Sequence, residues 1–157
     1  KVEEALQEIK RLSKNLIPPA LSDLGLKEAL IELFNQQLSH TSIKFQLSCS
    51  SSDLKDIDSN AQLNIYRMAQ ELLSNTLRHA KATEIKLSLI RTKKQFELFY
   101  HNNGKPFNAE KVKKGVGLNS IMNRTSFYEG KMNIVSNRKN GTSFNIELPL
   151  SNILRHD

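Results

Sequence analysis

A chain of 157 residues with 38% hydrophobic side chains can build one core, with at most a small appendage to it. Its Lys and Arg outnumber its Asp and Glu by 23 − 16 = 7, a basic balance that suits an anionic partner. The single cysteine, Cys49, excludes an internal disulfide and a cysteine-built metal site, and no run has the length and apolarity of a membrane span or a signal peptide.

Residues Lys1 to Ile17 read as a helix in which Ala5, Ile9, Leu12 and Leu16 follow a 4-3-4 spacing. That spacing is the seam of a helix pair, and equally the apolar face of a single amphipathic helix. Pro18 and Pro19 end it, because neither can donate to the helical ladder. A turn at Gly25 leads into a second helix from about Leu26 to Leu38, with Leu30, Leu33, Phe34 and Leu38 inward. Ile43, Phe45 and Leu47 alternate as in a strand, and a loop runs on to Asp58. Asp58 or Ser59 is placed to cap the long helix after it. Beyond that helix, Ile85, Leu87 and Leu89 form a strand, joined tightly at Thr92 to Lys94 to another at Phe96, Leu98 and Tyr100. After a polar run from His101 to Lys114, Leu118 to Phe127 reads as a helix. Met132 and Ile134 begin a strand, Arg138 to Gly141 turns it, and Phe144, Ile146 and Leu148 form the last strand, closed by Pro149. Ser151 to Asp157 is expected to be a loose tail. This order predicts an α/β (α+β) two-layer sandwich, with helices on one face of a mixed, largely antiparallel sheet.

The long central helix carries two stripes. Ile65, Met68, Ala69, Leu72, Thr76 and Leu77 recur at three- and four-residue steps and make the apolar one. Glu71, Asn75, Arg78 and His79 stand at i, i+4, i+7 and i+8 and share the other. A carboxylate, an amide and two nitrogen bases on one face can hold a metal ion and contact phosphates; the same pattern is also that of an ordinary solvated face. Three glycine-bearing segments come after the helix: His101 to Phe107 around Gly104, leaving a strand; Gly115 to Leu118, entering a helix; and Gly141-Thr142, entering the last strand. Glycine lets backbone approach a ligand closely, and a helix N-terminus offers free N–H groups to phosphate.

Taken in this order, the segments resemble the ATP-binding catalytic domain of sensor histidine kinases, which shares its fold (the Bergerat ATP-binding fold) with gyrase-, Hsp90- and MutL-type ATPases. YRMAQELLSNTLRHAKA is similar to that family's N box, VGLNSIMNR to its second glycine box, and NGTSFNIELPL to its third. LIPPALSDLGLKEAL resembles the junction between dimerisation and catalytic domains, in the subfamily whose response regulators usually carry helix-turn-helix outputs. The resemblance implies residues 1–19 as the end of a dimerisation helix, 20–150 as the catalytic domain and 151–157 as the tail. It implies ATP and Mg²⁺ as ligands. Asn75 would bind Mg²⁺, with phosphates completing the shell, since Mg²⁺ takes few protein ligands. Glu71 falls at the family's acidic position, the candidate catalytic base or water-orienting group. Arg78 and His79 would contact phosphate or close the pocket. Gly115, Gly117 and Leu118 belong to the box that wraps the phosphates, Thr142 would bond near the adenine, and Asn108 to Lys114 would be a lid whose lysines meet the triphosphate. Read without the family, His79 is a cation complementing a helix C-terminus, Thr142 a strand residue and Lys111 to Lys114 a solvated run.

Two positions depart from the family pattern. Its first glycine box is Asp-x-Gly-x-Gly, and this chain has Asn102-Asn103-Gly104-Lys105-Pro106. Asn102 can still accept from the adenine amine through its carbonyl oxygen, without the carboxylate's charge. Gly104 keeps its place. The four histidines, His40, His79, His101 and His156, include none in a Glu-Leu-His-Asp-like acceptor box, so phosphate would pass to a histidine outside this chain. The implied partners are ATP, the chain's own dimerisation and phosphoacceptor domain in a homodimer, and a response regulator. Nucleic acid is not expected, because the basic residues are spread out, without an aromatic-interleaved stripe. The chain starts at Lys1 inside a helical pattern and reads as a cytoplasmic fragment, with any membrane segments of its parent outside it. The rival reading is a degenerate module that signals with weak nucleotide binding or none. A gyrase-like ATPase would need a transducer domain that this length does not hold.

Overall fold

Alternation of apolar and polar residues along the strands sets one face of a five-stranded sheet against a layer of helices. The computed structural model describes residues 1–106, 108 and 116–156, the side chains of 13–15 and 116 excepted. The strands are β1 (Lys44–Cys49), β2 (Glu84–Arg91), β3 (Gln95–Asn102), β4 (Lys131–Asn137) and β5 (Gly141–Pro149), in spatial order β1-β2-β3-β5-β4. β1 runs parallel to β2 and every other pairing is antiparallel, the mixed sheet the sequence predicts. Ile85, Leu87 and Leu89, Phe96, Leu98 and Tyr100, and Phe144, Ile146 and Leu148 are all buried, while Lys86, Ile90 and Phe99 between them are exposed. A one-residue slip would turn the first set to water, so burial fixes the register.

The covering layer is α3 (Leu26–Leu38), α4 (Ser59–His79) and α5 (Val116–Phe127), which contribute Leu30, Phe34, Ile65, Met68, Leu72 and Ile121 to the core. Each such side chain, fully buried, contributes about 1.5–3 kcal/mol. Phe34 stacks on Phe45 of β1 with ring centroids 4.1 Å apart, which ties α3 to the sheet edge. Ahead of these elements stand α1 (Val2–Asn15) and a short α2 (Pro19–Leu24). The sequence assigns only a turn to the stretch before Gly25; instead Pro19 starts α2, its fixed φ and missing N–H suiting a first helical position. The apolar residues of α1 and its exit, among them Leu6, Ile9, Leu12 and Leu16, are exposed in this chain. No helix of the described residues is long and apolar enough to cross a membrane.

Two readings are corrected. The end of the chain is docked, not loose: Ile153 is fully buried, its carbonyl accepts from Asp58 N–H at 2.9 Å, and Arg155 N–H donates to Asp56 O at 2.8 Å. On α4 the buried stripe continues through Leu73, not Leu77, which is 37% exposed. At about 100° per residue Leu77 has turned past the face that Leu73 and Thr76 share.

Candidate functional site

The side chain of Asp58 accepts from Ala61 N–H at 2.7 Å and caps the N-terminus of α4, as the sequence predicts. From there the helix runs 21 residues and delivers Glu71, Asn75, Arg78 and His79 in its last turns. Its C-terminal carbonyls need donors. Lys105 N–H supplies one to Ala80 O at 2.6 Å, and Gly104 packs so close that a Cβ there would lie 2.3 Å from the same oxygen. The first glycine segment is thereby docked on the end of α4, with Asn102 beside Thr76.

Asn102 is 4% exposed, and its amide is oriented by its neighbours. Thr76 Oγ1 donates to Leu72 O at 3.0 Å, so Tyr100 OH, 2.7 Å away, donates to Thr76. The remaining lone pair of Thr76 takes Asn102 Nδ2–H at 3.3 Å, and Asn102 Oδ1 accepts from Gly104 N–H at 3.0 Å. Turning the amide over would set NH₂ against a donor and oxygen against a filled acceptor. Burial holds the Tyr100 phenol protonated well above the usual tyrosine range, against the opposing hydrogen bond of Thr76. Asn103 is structural: its Oδ1 accepts from Thr83 N–H and Glu84 N–H, each at 2.9 Å, and holds the end of β3 to the start of β2.

Thr142 lies opposite Asn102 in the β3–β5 register, is 2% exposed and shares a 2.8 Å hydrogen bond with Ser136 Oγ. Gly141 before it has φ of 81°, and a Cβ there would sit 2.0 Å from Asn102 O, so only glycine lets β5 come this close. Between these parts lies a cleft open to solvent. Asn75, Thr76 and His79 line it from α4, Asn102 and Lys105 from the first glycine segment, Thr142 and Phe144 from β5.

Arg78 folds back along α4. Its Nη2 donates to Asn75 Oδ1 at 3.2 Å and to Glu71 Oε1 at 3.4 Å. Asn75 Nδ2 is buried without a hydrogen-bond partner among the described residues. Glu71 also meets α5: a Cβ on Gly117 would come 2.0 Å from Glu71 Oε1. Leu118, one residue on, is 2% exposed and belongs to the core, and it does not line the cleft. Gly115 and the expected lid, Asn108 apart, lie outside the described residues. No cluster of three or more His, Cys, Asp or Glu side chains that could hold a metal occurs among the described residues.

Thus Asn75, His79, Asn102 and Thr142 meet at one cleft, with Glu71 and Arg78 at its α4 edge and Gly104 behind it. Sequence reading missed Thr76, Lys105 and Phe144 as members of that cleft. Thr76 counts there only as part of an apolar stripe, since threonine at a helical period looks like valine.

Residues 60–152 match the family described as Histidine kinase-, DNA gyrase B-, and HSP90-like ATPase. The chain belongs to this ATPase family. It is 33% identical over 138 residues to the sensor histidine kinase ComP of Bacillus subtilis, covering 86% of this chain and 18% of ComP. With the sensor histidine kinase LiaS of the same organism it shares 32% over 150 residues, covering 94% of this chain and 40% of LiaS. The chain therefore spans less than half the length of these relatives. The fold of the ATPase domain is shared with the histidine kinase domain from the Erythrobacter litoralis EL346 blue-light activated histidine kinase, at a TM-score of 0.69 and 18% identity over 81% of this chain and 60% of that one. The matched residues run from α4 through β5 and so include the elements that line the cleft.

Proposed function

We propose that this chain is the ATP-binding catalytic domain of a two-component sensor histidine kinase. ATP and Mg²⁺ bind in the cleft, and the γ-phosphoryl group passes to a histidine of the dimerisation domain, from which a response regulator, of helix-turn-helix output type, is served. The observation that carries this reading is the convergence of Asn75 from α4, Asn102 from β3 and Thr142 from β5 on one cleft.

The donor set fits a hard cation. Two oxygens, Asn75 Oδ1 and Glu71 Oε1, already converge on a single cationic nitrogen of Arg78 at 3.2 and 3.4 Å. Mg²⁺ wants oxygen, accepts one or two protein ligands and takes the rest from phosphate and water. When bound, Mg²⁺ neutralises phosphate charge; the side chains position the nucleotide, as in phosphoryl transfer generally. Asn75 would hold the ion, Arg78, His79 and Lys105 would meet phosphate oxygens, and Glu71 would orient the accepting group. At the other end the adenine amine would donate to Asn102 Oδ1, whose amide the Thr76–Tyr100 network keeps oriented, with Thr142 beside it. The exposed apolar stripe of α1 supports helix pairing in a homodimer. The same reading puts the domain on the cytoplasmic side of its parent protein.

Asn102 in place of aspartate favours a second reading, a degenerate module with weak nucleotide binding. Labelled ATP separates the two. The chain alone should stay unlabelled. With a fragment carrying an acceptor-histidine helix in trans, an acid-labile label should appear on that fragment and vanish with Asn75→Ala. Label on any of the chain's own four histidines, or none on the acceptor, contradicts the kinase reading.

A further inference from the structure

Arg78 has no need to lie where it does. At the last turn of α4 a long cationic side chain is free to extend into water. Instead its Nε approaches Ser74 O at 3.4 Å and its Nη2 reaches both Asn75 Oδ1 and Glu71 Oε1. The oxygen of Glu71 that it meets is the one packed against Gly117 in the first turn of α5. Positive charge therefore stands where two oxygens converge, and negative charge stands at a helix N-terminus, a place suited to phosphate. Beside them the buried NH₂ of Asn75 has no partner among the described residues.

We propose that Arg78 is a resident counter-ion of the nucleotide-free cleft: it occupies the cation position between Glu71 and Asn75, and loading of Mg²⁺-nucleotide is an exchange in which the guanidinium leaves Asn75 Oδ1 for phosphate. The proposal rests on the nucleotide-binding reading of the cleft. The ion pair is 58% exposed on the arginine side and 25% on the glutamate side, so it is weak and exchangeable. Its consequence is order of binding. A bare divalent cation meets a guanidinium already in its place and is excluded. A cation arriving with a triphosphate brings the anion that draws the guanidinium away. Arg78 is thus a positioning residue that couples metal binding to nucleotide binding.

The test uses Mn²⁺ alone, added to the nucleotide-free chain, with paramagnetic broadening of the Asn75 side-chain amide and calorimetry as readouts. Wild type should show no saturable binding in the millimolar range. Arg78→Gln should show saturable Mn²⁺ binding in that range, at least about threefold tighter than the limit set by wild type, with broadening centred on Asn75. Arg78→Lys, which keeps the charge, should exclude Mn²⁺ as wild type does, and Glu71→Gln added to Arg78→Gln should cancel the gain. Equal broadening in wild type and Arg78→Gln, or Mn²⁺ binding by Arg78→Lys to the level of Arg78→Gln, overturns the proposal. ATP binding by wild type is measured on the same samples. Its absence would reject the nucleotide reading itself, whereas intact ATP binding with unchanged Mn²⁺ behaviour would reject the counter-ion role alone.

Discussion

Replacing Asn102 with aspartate puts a carboxylate at the floor of the cleft, where the surrounding hydrogen bonds must rearrange around it. Oδ1 keeps the Gly104 N–H. The second oxygen faces Thr76, which then turns its proton from Leu72 O to the carboxylate, while Tyr100 OH continues to donate to Thr76. The helix ladder still satisfies Leu72 O, so the network closes again with two charge-assisted bonds in it, from Gly104 N–H and Thr76 OH. Toward the nucleotide, a neutral acceptor for the adenine amine becomes an ionised one. Hydrogen bonds to charged groups contribute about 1.5–3 kcal/mol against about 0.5–1.5 for neutral ones, a difference of about 1–2 kcal/mol. Desolvating a carboxylate at a residue only 4% exposed offsets part of this. The net expectation is about tenfold tighter ATP binding, or about 1.4 kcal/mol. The nucleotide-free domain should lose stability, because the penalty of burying a charge is several kcal/mol and the two new charge-assisted bonds offset only part of it. GTP should gain nothing, because its 6-carbonyl faces the carboxylate lone pairs. Calorimetry with ATP and GTP on both variants, with circular dichroism to verify folding, decides it. Unchanged or weaker ATP binding in a folded Asn102→Asp protein would place the adenine elsewhere.

The packing sets three further outcomes. Gly141→Ala, which meets backbone at a positive φ, should cost about 3 kcal/mol or more in urea unfolding, whereas Gly117→Ala, which meets only the movable end of Glu71, should cost much less and act mainly on activity; equal losses would contradict the contacts described. Ile153→Ala should destabilise the domain by about 2–4 kcal/mol because the side chain is fully buried, and a change within about 0.5 kcal/mol would restore the loose tail. His101, bonded to Ser143 Oγ at 2.9 Å, is held below its ordinary value of 6.5 by burial and by Lys86, against the pull of Glu84. The unfolded chain therefore binds the proton first as pH falls, so this contribution is present above about pH 6.5 and lost below it; the melting temperature should fall less between pH 7 and 5.5 in His101→Gln than in wild type.

The strands, the helices α3 to α5 and the four polar residues of α4 are legible in the sequence because each repeats a period over several turns or pleats. What escapes is what no period encodes. α2 is six residues long, too short to show a helical repeat. Ile153 and Leu154 are two apolar residues in a polar end, and only their docking beside the start of α4 makes them core. Thr76 shares volume and position with an apolar residue, and its role depends on Tyr100, 24 positions away, and on Asn102. Arg78 is legible as a cation on the right face, but its folding back onto Asn75 and Glu71 is a rotamer choice that spacing does not determine.

Mg²⁺-dependent nucleotide binding tests the central claim most directly. A non-hydrolysable ATP analogue titrated calorimetrically into the chain should give saturable heat with Mg²⁺, at least about tenfold weaker binding without it, and in Asn75→Ala no difference between the two conditions. No heat at millimolar nucleotide, or binding indifferent to both Mg²⁺ and Asn75, would contradict it.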